Sequence, residues 1–416
     1  MRRNQGKYAA FFLVLILIIS GITVQAANSI TIQFWNAFTG SDGDILREIV
    51  NRFNEENPYE INIEMDIMPG NTLTEKLAPA IATNTAPAMI LASNLDVPMY
   101  AQTGTMIAMD DFFDETDADR DDFAEAALES LQYEGSQIMI PMQWFTTYLY
   151  YNKDLFKAAG LDPETPPATW EELAEYAAKI TDPDKNIYGI GFCVSGGVSW
   201  FNSLFLANGG QVVDTENKES LLLSPENIVS LKYVQDIVNA GYSPKGMTGA
   251  DLDNLMFAER LGMVINGPWM VNGLKENEIN FGVAGMPEGK ADRVGIAETI
   301  GFAIPKGTSA EAREAAYKFI EYWNTTEICK EWSIRNGFPP YLKSVVADKE
   351  VASNEIISAF AQITEYGVAF GSGLTSTSQI INDILFPLVE NVIAGAEPDE
   401  ELIKASHALE EVLARE

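Results

Sequence analysis

The stretch from residue 29 to residue 65 limits the fold more than any other part of the chain. Residues 29–34 read as a short strand, 36–43 as a polar Gly-containing loop and 44–57 as a helix closed by Pro58, and Ile61, Ile63 and Met65 then alternate as a second strand. A strand, a helical crossover and a strand in that order give a parallel pair, so the fold class is α/β. The same grammar recurs in a helix at 73–83, an apolar strand at 89–92 and a strand at 188–192. Thr169 and Glu172 have capping-box spacing, and Ser224 before Pro225 supplies a cap and a pre-set first turn. Gly209 and Gly241 sit where C-terminal glycines belong. The C-terminal region reads as helices at 354–366, 379–394 and 399–415.

Ahead of this, Arg2, Arg3 and Lys7 precede an apolar run over 8–19, and Val24, Gln25 and Ala26 form a small-x-small cleavage signal. A run of about a dozen residues is short of the ~20 needed to span a bilayer, so it reads as a signal peptide cut near Ala26, an uncleaved anchor being the alternative. No cysteine follows the run, which excludes a lipid anchor there. The expected location is periplasmic or secreted. Processing removes three of 27 basic residues, leaving 24 against 60 acidic ones, a net charge of −36. Such a surface repels nucleic acid and anionic membranes, so no nucleic-acid partner is expected. About 390 residues remain, more than one core usually supports, which points to two domains. No low-complexity linker joins them, so the crossings are expected on strands, at 148–152 and 281–284.

The two cysteines, Cys193 and Cys329, either pair or sit as buried thiols; two are too few for a disulfide framework or a thiolate zinc site. The single His407 and the absence of Gly-x-Ser-x-Gly or Walker sequences leave no parts for a His-based triad. Asp182, Asp184 and Asn186 resemble half a calcium loop, but Ile187 stands where the loop needs Gly, and a solvated turn is the better reading. Trp35, Trp144, Trp200 and Trp269 fall at strand or helix ends beside Asn36 and Thr39, Gln143, Asn202 and Asn266. A sugar lays C–H faces on aromatic rings and bonds its hydroxyls to amides and carboxylates, so these are candidate contacts; each tryptophan could equally be core.

The chain resembles the extracellular solute-binding proteins of bacterial ABC importers, in the group that takes up sugars and glycerol phosphates. The resemblance covers nearly the whole processed chain. It begins at Phe34-Trp35, Phe53-Asn54, Asn57-Pro58 and Ala86-Pro87 and is strongest from Tyr148-Leu149-Tyr150-Tyr151-Asn152-Lys153-Asp154-Leu155-Phe156 to Ala159-Gly160-Leu161, Pro167 and Thr169-Trp170. Asn266-Gly267-Pro268-Trp269, Gly282-Val283, Met286-Pro287, Gly301 and Asn336-Gly337-Phe338-Pro339-Pro340 follow in family order. The resemblance implies a two-lobed, hinged periplasmic-binding-protein fold with a helical C-terminal region, closing on a small-molecule sugar and delivering it to an ABC permease. It implies a monomer without cofactor, metal or catalytic residues. The corresponding lobes are 27–143 with 286–325, and 144–285 with 326–416, after the 1–26 leader. Ligand contacts are implied at Trp35, Asn36, Thr39, Asn94, Asp96, Gln143, Trp144, Trp200, Trp269, Gly301 and Phe338.

Glycerol-phosphate members close the pocket with hydroxyls and a late arginine, whereas Trp144 and Phe145 stand here where serines would, and no arginine occurs between Arg335 and Arg415. An anion needs charge-assisted donors, so a neutral sugar or oligosaccharide is favoured. A glycerol-phosphate or other polar-metabolite binder would need Arg47, Arg260 or Arg293 at the ligand. A secreted carbohydrate-active enzyme would need two carboxylates ~5 to 9.5 Å apart across the cleft.

Overall fold

In the computed structural model, described over residues 29–364, 367–371 and 373–416, the chain forms two principal sheets, each with its own apolar core. The leader expected at 1–26 lies outside the described residues. The opening strand runs Ile30–Asn36, two residues past its expected end, and pairs in parallel with Ile61–Ile67 from Ile30 opposite Ile61 to Asn36 opposite Ile67. Between them helix Ser41–Glu56 buries Ile45, Leu46, Ile49, Val50 and Phe53, a three-to-four residue spacing that lays one stripe on the sheet. It stops where Asn57 turns extended and its Nδ2 donates to the carbonyls of Phe53 and Ile61 at 2.7 and 2.8 Å, followed by Pro58.

Met89–Ser93 adds in parallel on the other edge of Ile30–Asn36, and the long Gly295–Pro305 strand lies antiparallel beside it. Ile140–Thr146 pairs antiparallel with the far edge of Gly295–Pro305, slipping register between Ile300 and Gly301. The ligand-facing end of such a sheet is set by the parallel strands: loops leaving their carboxyl ends open onto the crevice.

The second sheet runs Phe281–Ala284, Tyr148–Asn152, Leu261–Asn266, Tyr188–Gly191. Every residue of Tyr148–Asn152 and of Leu261–Asn266 is buried, so helices cover both faces, among them Trp170–Ile180 and Pro225–Asn239. Thr169 caps the first of these, its Oγ1 accepting from the Glu172 amide at 3.1 Å; Glu172 returns the bond to the amide of Ala168 rather than that of Thr169. Ser224 caps the second through the Asn227 amide. The C-terminal helices run Phe386–Ala394, entered through a π-turn at Ile380–Leu385, and Pro398–Leu413.

Both strands expected to cross between lobes lie wholly in the second sheet. The chain passes over at Thr147, where the backbone N–H donates to the Ile296 carbonyl and Oγ1 accepts from the Ile296 amide, both at 3.1 Å. The outgoing and returning connections are thus bonded to each other. A Cβ on Gly295 would stand 2.4 Å from Thr146 Oγ1, so this approach requires glycine. A third connection joins here, Gly367–Ala369 pairing in parallel with residues 295–297. Helix Thr326–Asn336 and the short helices after it bury Ile328, Trp332, Leu342, Val345 and Ile357 in the first core, whereas the sequence division grouped 326–416 with the second lobe. Apolar spacing reveals a buried face but not which sheet receives it. Cys193 and Cys329 are free buried thiols, one in each core. Asp182–Asn186 is a turn, with the Asp182 carboxylate 2.8 Å from Lys185 Nζ and Asn186 at φ 53°. No helix among the described residues is long and apolar enough to cross a membrane.

Candidate functional site

The second sheet delivers one side chain to the first lobe's core, and the site is built around it. Strand Leu261–Asn266 ends in the turn Gly267-Pro268-Trp269, after which helix Met270–Glu276 packs back into the second core. Asn266 holds the turn from both ends: Nδ2 donates to Asp253 Oδ1 at 2.7 Å and Oδ1 accepts from the Gly267 amide at 2.8 Å. The buried Tyr150 hydroxyl donates to the Gly267 carbonyl at 2.7 Å. Burial pushes the Asp253 carboxyl up to about 7, opposed by the Asn266 bond. A Cβ on Gly267 would lie 2.1 Å from the Trp269 ring, so the indole folds flat over its own turn. From there Trp269 meets Phe145 edge-on, ring centroids 5.0 Å apart, and packs against the first core.

The aromatic contact continues. Phe145 meets Phe338 at 6.1 Å, Phe338 stacks on Trp332 at 5.8 Å, and Trp332 stacks on Phe38 at 6.1 Å. Five rings therefore run from the loop after the first strand to a turn of the opposite lobe. Trp332 is fixed by its indole N–H, which donates to Gln143 Oε1 at 3.0 Å. Two buried polar residues next to this series lack partners among the described residues, Asn36 at Nδ2, whose Oδ1 accepts from the Phe38 amide, and Asn336 at both amide atoms, two residues before Phe338; Trp144 Nε1, Thr146 Oγ1 and both amide atoms of Asn202 are unpaired as well. Buried amides are normally bonded, so unpaired donors and acceptors around an interlobe seam are what a polyhydroxyl ligand would satisfy.

The expected contacts divide. Asn36, Gln143 and Trp269 come together at the ring series, with Gln143 acting through Trp332, whereas Trp144 packs against the first core from a strand position that alternates with Gln143 and Phe145. Trp200 does not join them: it is 1% exposed, stacked on Phe192 at 4.5 Å, with its indole N–H donating to the Cys193 carbonyl at 2.9 Å. Helical residues two apart point about 200° apart, so helix Trp200–Ala207 turns the buried Asn202 away from that packing, and the next residue, Ser203, has its Oγ 3.3 Å from Thr147 Oγ1 at the connection between the lobes. Phe338 belongs to the ring series but is 1% exposed, its faces covered by other rings. Gly301 is a packing position, since a Cβ there would stand 2.8 Å from both Leu131 and Met139. Trp35 points to the opposite face of its sheet from Phe34 and Asn36, into a satellite cluster with Ile90 and Val97. Thr39 is exposed.

Asn94 and Asp96 stand at a second place where the lobes meet. Asn94 Oδ1 accepts from the Thr299 amide at 2.9 Å, and Asp96 Oδ1 accepts from Ser378 Oγ at 2.5 Å, a contact between the lobes. Asn94 also lines a 350 Å³ cavity between Val97, Pro98 and Tyr133 on one side and Phe370, Gly371 and Thr377 on the other. Phe38, Phe145, Trp332, Asn336 and Glu298 were not among the expected contacts, and Asn202 was expected only as the polar neighbour of Trp200. Phe38 sits between two residues that were, in Asn36-Ala37-Phe38-Thr39, and Asn202 adjoins Trp200 by two positions; Glu298 had no sequence signal. Arg260 precedes the far end of the Leu261–Asn266 strand, roughly 20 Å from its Trp269 end at ~3.3 Å per residue, and donates to the Asn186 carbonyl. Arg47 donates to the Met65 carbonyl and Arg293 to that of Ala168.

The profile of the family described as bacterial extracellular solute-binding protein matches residues 48–359. A maltotriose-binding protein of Pyrococcus abyssi (strain GE5 / Orsay) is 25% identical over 350 residues, covering 80% of this chain and 73% of that one. The sn-glycerol-3-phosphate-binding periplasmic protein UgpB of Escherichia coli (strain K12) is 26% identical over 338 residues, 76% of this chain and 75% of that one. Among solved structures, an ABC transporter solute-binding protein from Thermotoga lettingae TMO bound with α-D-tagatose superposes with a TM-score of 0.83 at 24% identity, over 92% of this chain and 99% of that one. At that identity the superposition establishes the shared two-lobed fold.

Proposed function

We infer that this chain, which belongs to the bacterial extracellular solute-binding proteins, is the substrate-binding component of an ABC importer and takes a neutral sugar or oligosaccharide between its lobes. The observation that carries the reading is the five-ring series from Phe38 to Trp269, spanning the two lobes and bordered by unpaired buried amides at Asn36 and Asn336. Aromatic faces accept the C–H faces of a pyranose, and amides that lack partners accept and donate to its hydroxyls. The maltotriose-binding relative and the tagatose-bound neighbour agree in ligand class. The glycerol-phosphate relative points the other way, but Arg47, Arg260 and Arg293 are each engaged by a backbone carbonyl.

The ligand contacts we propose are Asn36, Phe38, Trp144, Phe145, Asn202, Trp269 and Asn336, with Asn94 and Asp96 at the adjoining cavity and Gln143, Trp332 and Phe338 positioning the rings. The lobes divide at Thr147 and near Ile296, with 326–357 in the first. A ligand touching both lobes binds the closed form more tightly than the open one, and that difference drives closure about the Thr147–Ile296 connection. The closed complex is delivered to a membrane permease outside the cytoplasm, after cleavage near Ala26, by a monomer that does no chemistry on its cargo.

Melting curves of residues 27–416 with glucose, maltose, maltotriose and glycerol 3-phosphate test this. Ligand at 100 times its Kd stabilises by about 2.7 kcal/mol. Stabilisation by a neutral sugar that is recovered intact is the expected result. A shift with glycerol 3-phosphate alone, or consumption of the sugar, would overturn it.

A further inference from the structure

Glu298 lies on the Gly295–Pro305 strand directly opposite Phe145 of Ile140–Thr146, and directly opposed residues of an antiparallel pair share a face. Phe145 is the ring that receives Trp269, so the carboxylate flanks the point where the aromatic series passes from one lobe to the other. Across the next strand, Ser93 stands opposite Ile300, on the face of Glu298, where its hydroxyl works to lower the Glu298 carboxyl against burial. Asp96, three residues beyond Ser93, acts on Glu298 as a like charge and is itself bonded to Ser378 of the second lobe. Among the described residues neither carboxylate has an ion-pair partner. Asn36 lies on the same sheet face, 0% exposed, with Nδ2 unpaired.

We propose that Glu298, backed by Asp96, is the specificity-determining residue of this cleft: it accepts hydroxyl donors from a neutral sugar and excludes ligands that carry a carboxylate or phosphate. The proposal rests on the sugar-binding reading and deepens it. Two physical effects act together. A half-buried carboxylate without an ion-pair partner among the described residues has acceptor capacity left over, which sugar hydroxyls fill. An anionic ligand would bring a third negative charge beside Glu298 and Asp96, where no cation compensates, so rejection comes from repulsion rather than from a missing contact. Burial raises both carboxyls, that of Glu298 to about 6 and that of Asp96 in the same direction, so the test is run at pH 7.5, where the Glu298 carboxylate is charged despite its burial.

The experiment is calorimetric titration of wild type, Glu298→Gln and Asp96→Asn at pH 7.5 with glucose, maltose and maltotriose, each paired with the counterpart whose terminal CH2OH is oxidised to a carboxylate. Glutamine keeps the volume and an acceptor oxygen while removing the charge, and an unchanged melting temperature verifies folding. The expected result is that wild type prefers the neutral member at least 100-fold and that Glu298→Gln narrows the preference at least tenfold, chiefly because the anion gains. Asp96→Asn narrows it less, its charge lying further from the ring series. If wild type binds a neutral sugar and Glu298→Gln leaves the ratio unchanged, Glu298 is not the selector and the sugar-binding reading stands. If wild type binds none of the sugars, the sugar-binding reading and the proposal fall together.

Discussion

Trp200 and Trp269 belong to the same lobe and each stands beside an asparagine, yet one closes that lobe's core and the other leaves it. Trp200 opens a helix whose buried stripe it joins, with Phe192 stacked on it and the Cys193 carbonyl taking its N–H. Trp269 follows a strand buried at every position, so the chain can turn only at the strand's end, where the lobes meet. The local sequence is similar and the outcome is set by what precedes the residue. A ring just after a fully buried strand is available for recognition; one at the start of an apolar helix is packing.

That contrast is broken most directly by Trp200→Ala, which empties a site that is 1% exposed. Unfolding in urea should show a loss of about 3–5 kcal/mol, the range for a large buried aromatic, and a loss under ~1 kcal/mol would return Trp200 to the ligand surface. Gly267→Ala comes next. Its methyl would meet the indole at 2.1 Å, so the ring must leave its place over the turn. The expected cost is about 1–3 kcal/mol of stability, the range for overpacking, together with lost sugar binding; intact affinity would show that the ring's position over the turn is unimportant. Trp269→Ala sharpens the comparison at smaller scale. Sugar affinity should fall by at least ~1 kcal/mol, the scale of aromatic contacts, and unchanged affinity in calorimetry would move Trp269 to the core.

The sequence showed the elements that repeat a simple period. The strand–helix–strand unit at Ile30–Ile67 and the caps at Thr169 and Ser224 form as the residue pattern predicts, because period and end chemistry are local. Which sheet a segment packs on is not local, and so 326–357 went to the wrong core in the sequence division. The same limit applied to the site. The placing of Asn36 and Trp269 at strand ends was legible, whereas Phe38 and Trp332 meet across nearly 300 residues of chain. Glu298 could not be picked from 60 acidic residues, since only strand pairing sets it beside Phe145. Trp200 and Phe338, expected at the ligand, are each covered by other rings, because a ring beside a polar neighbour looks the same in the sequence whether the structure covers it or leaves it open.

The least of the expected effects compares the lobes by their acids. Asp42 in the first lobe and Asp253 in the second are both raised by burial, to about 6 and about 7, and Glu298 to about 6. Unfolding returns each to its ordinary value near 3.8 or 4.5, so between roughly pH 4.5 and 7 the folded protein holds more protons than the unfolded chain. Stability must then fall as pH rises through that window and be regained on acidification. Carboxylates lowered by partners, such as Asp111 beside Arg313 and Asp348 beside Lys330, act in the opposite sense, but only below about pH 4. The ligand-free protein should therefore melt higher at pH 5.5 than at pH 7.5. A tenfold gain in proton affinity on folding corresponds to about 1.36 kcal/mol, and screening at the half-exposed Asp253 and Glu298 brings the expected difference to about 1 kcal/mol. Asp42→Asn should remove part of the first lobe's share of this slope, Glu298 carrying the rest, and Asp253→Asn the second's; melting temperatures that fall on acidification in wild type would show that these buried acids are relieved by contacts the two cores do not reveal.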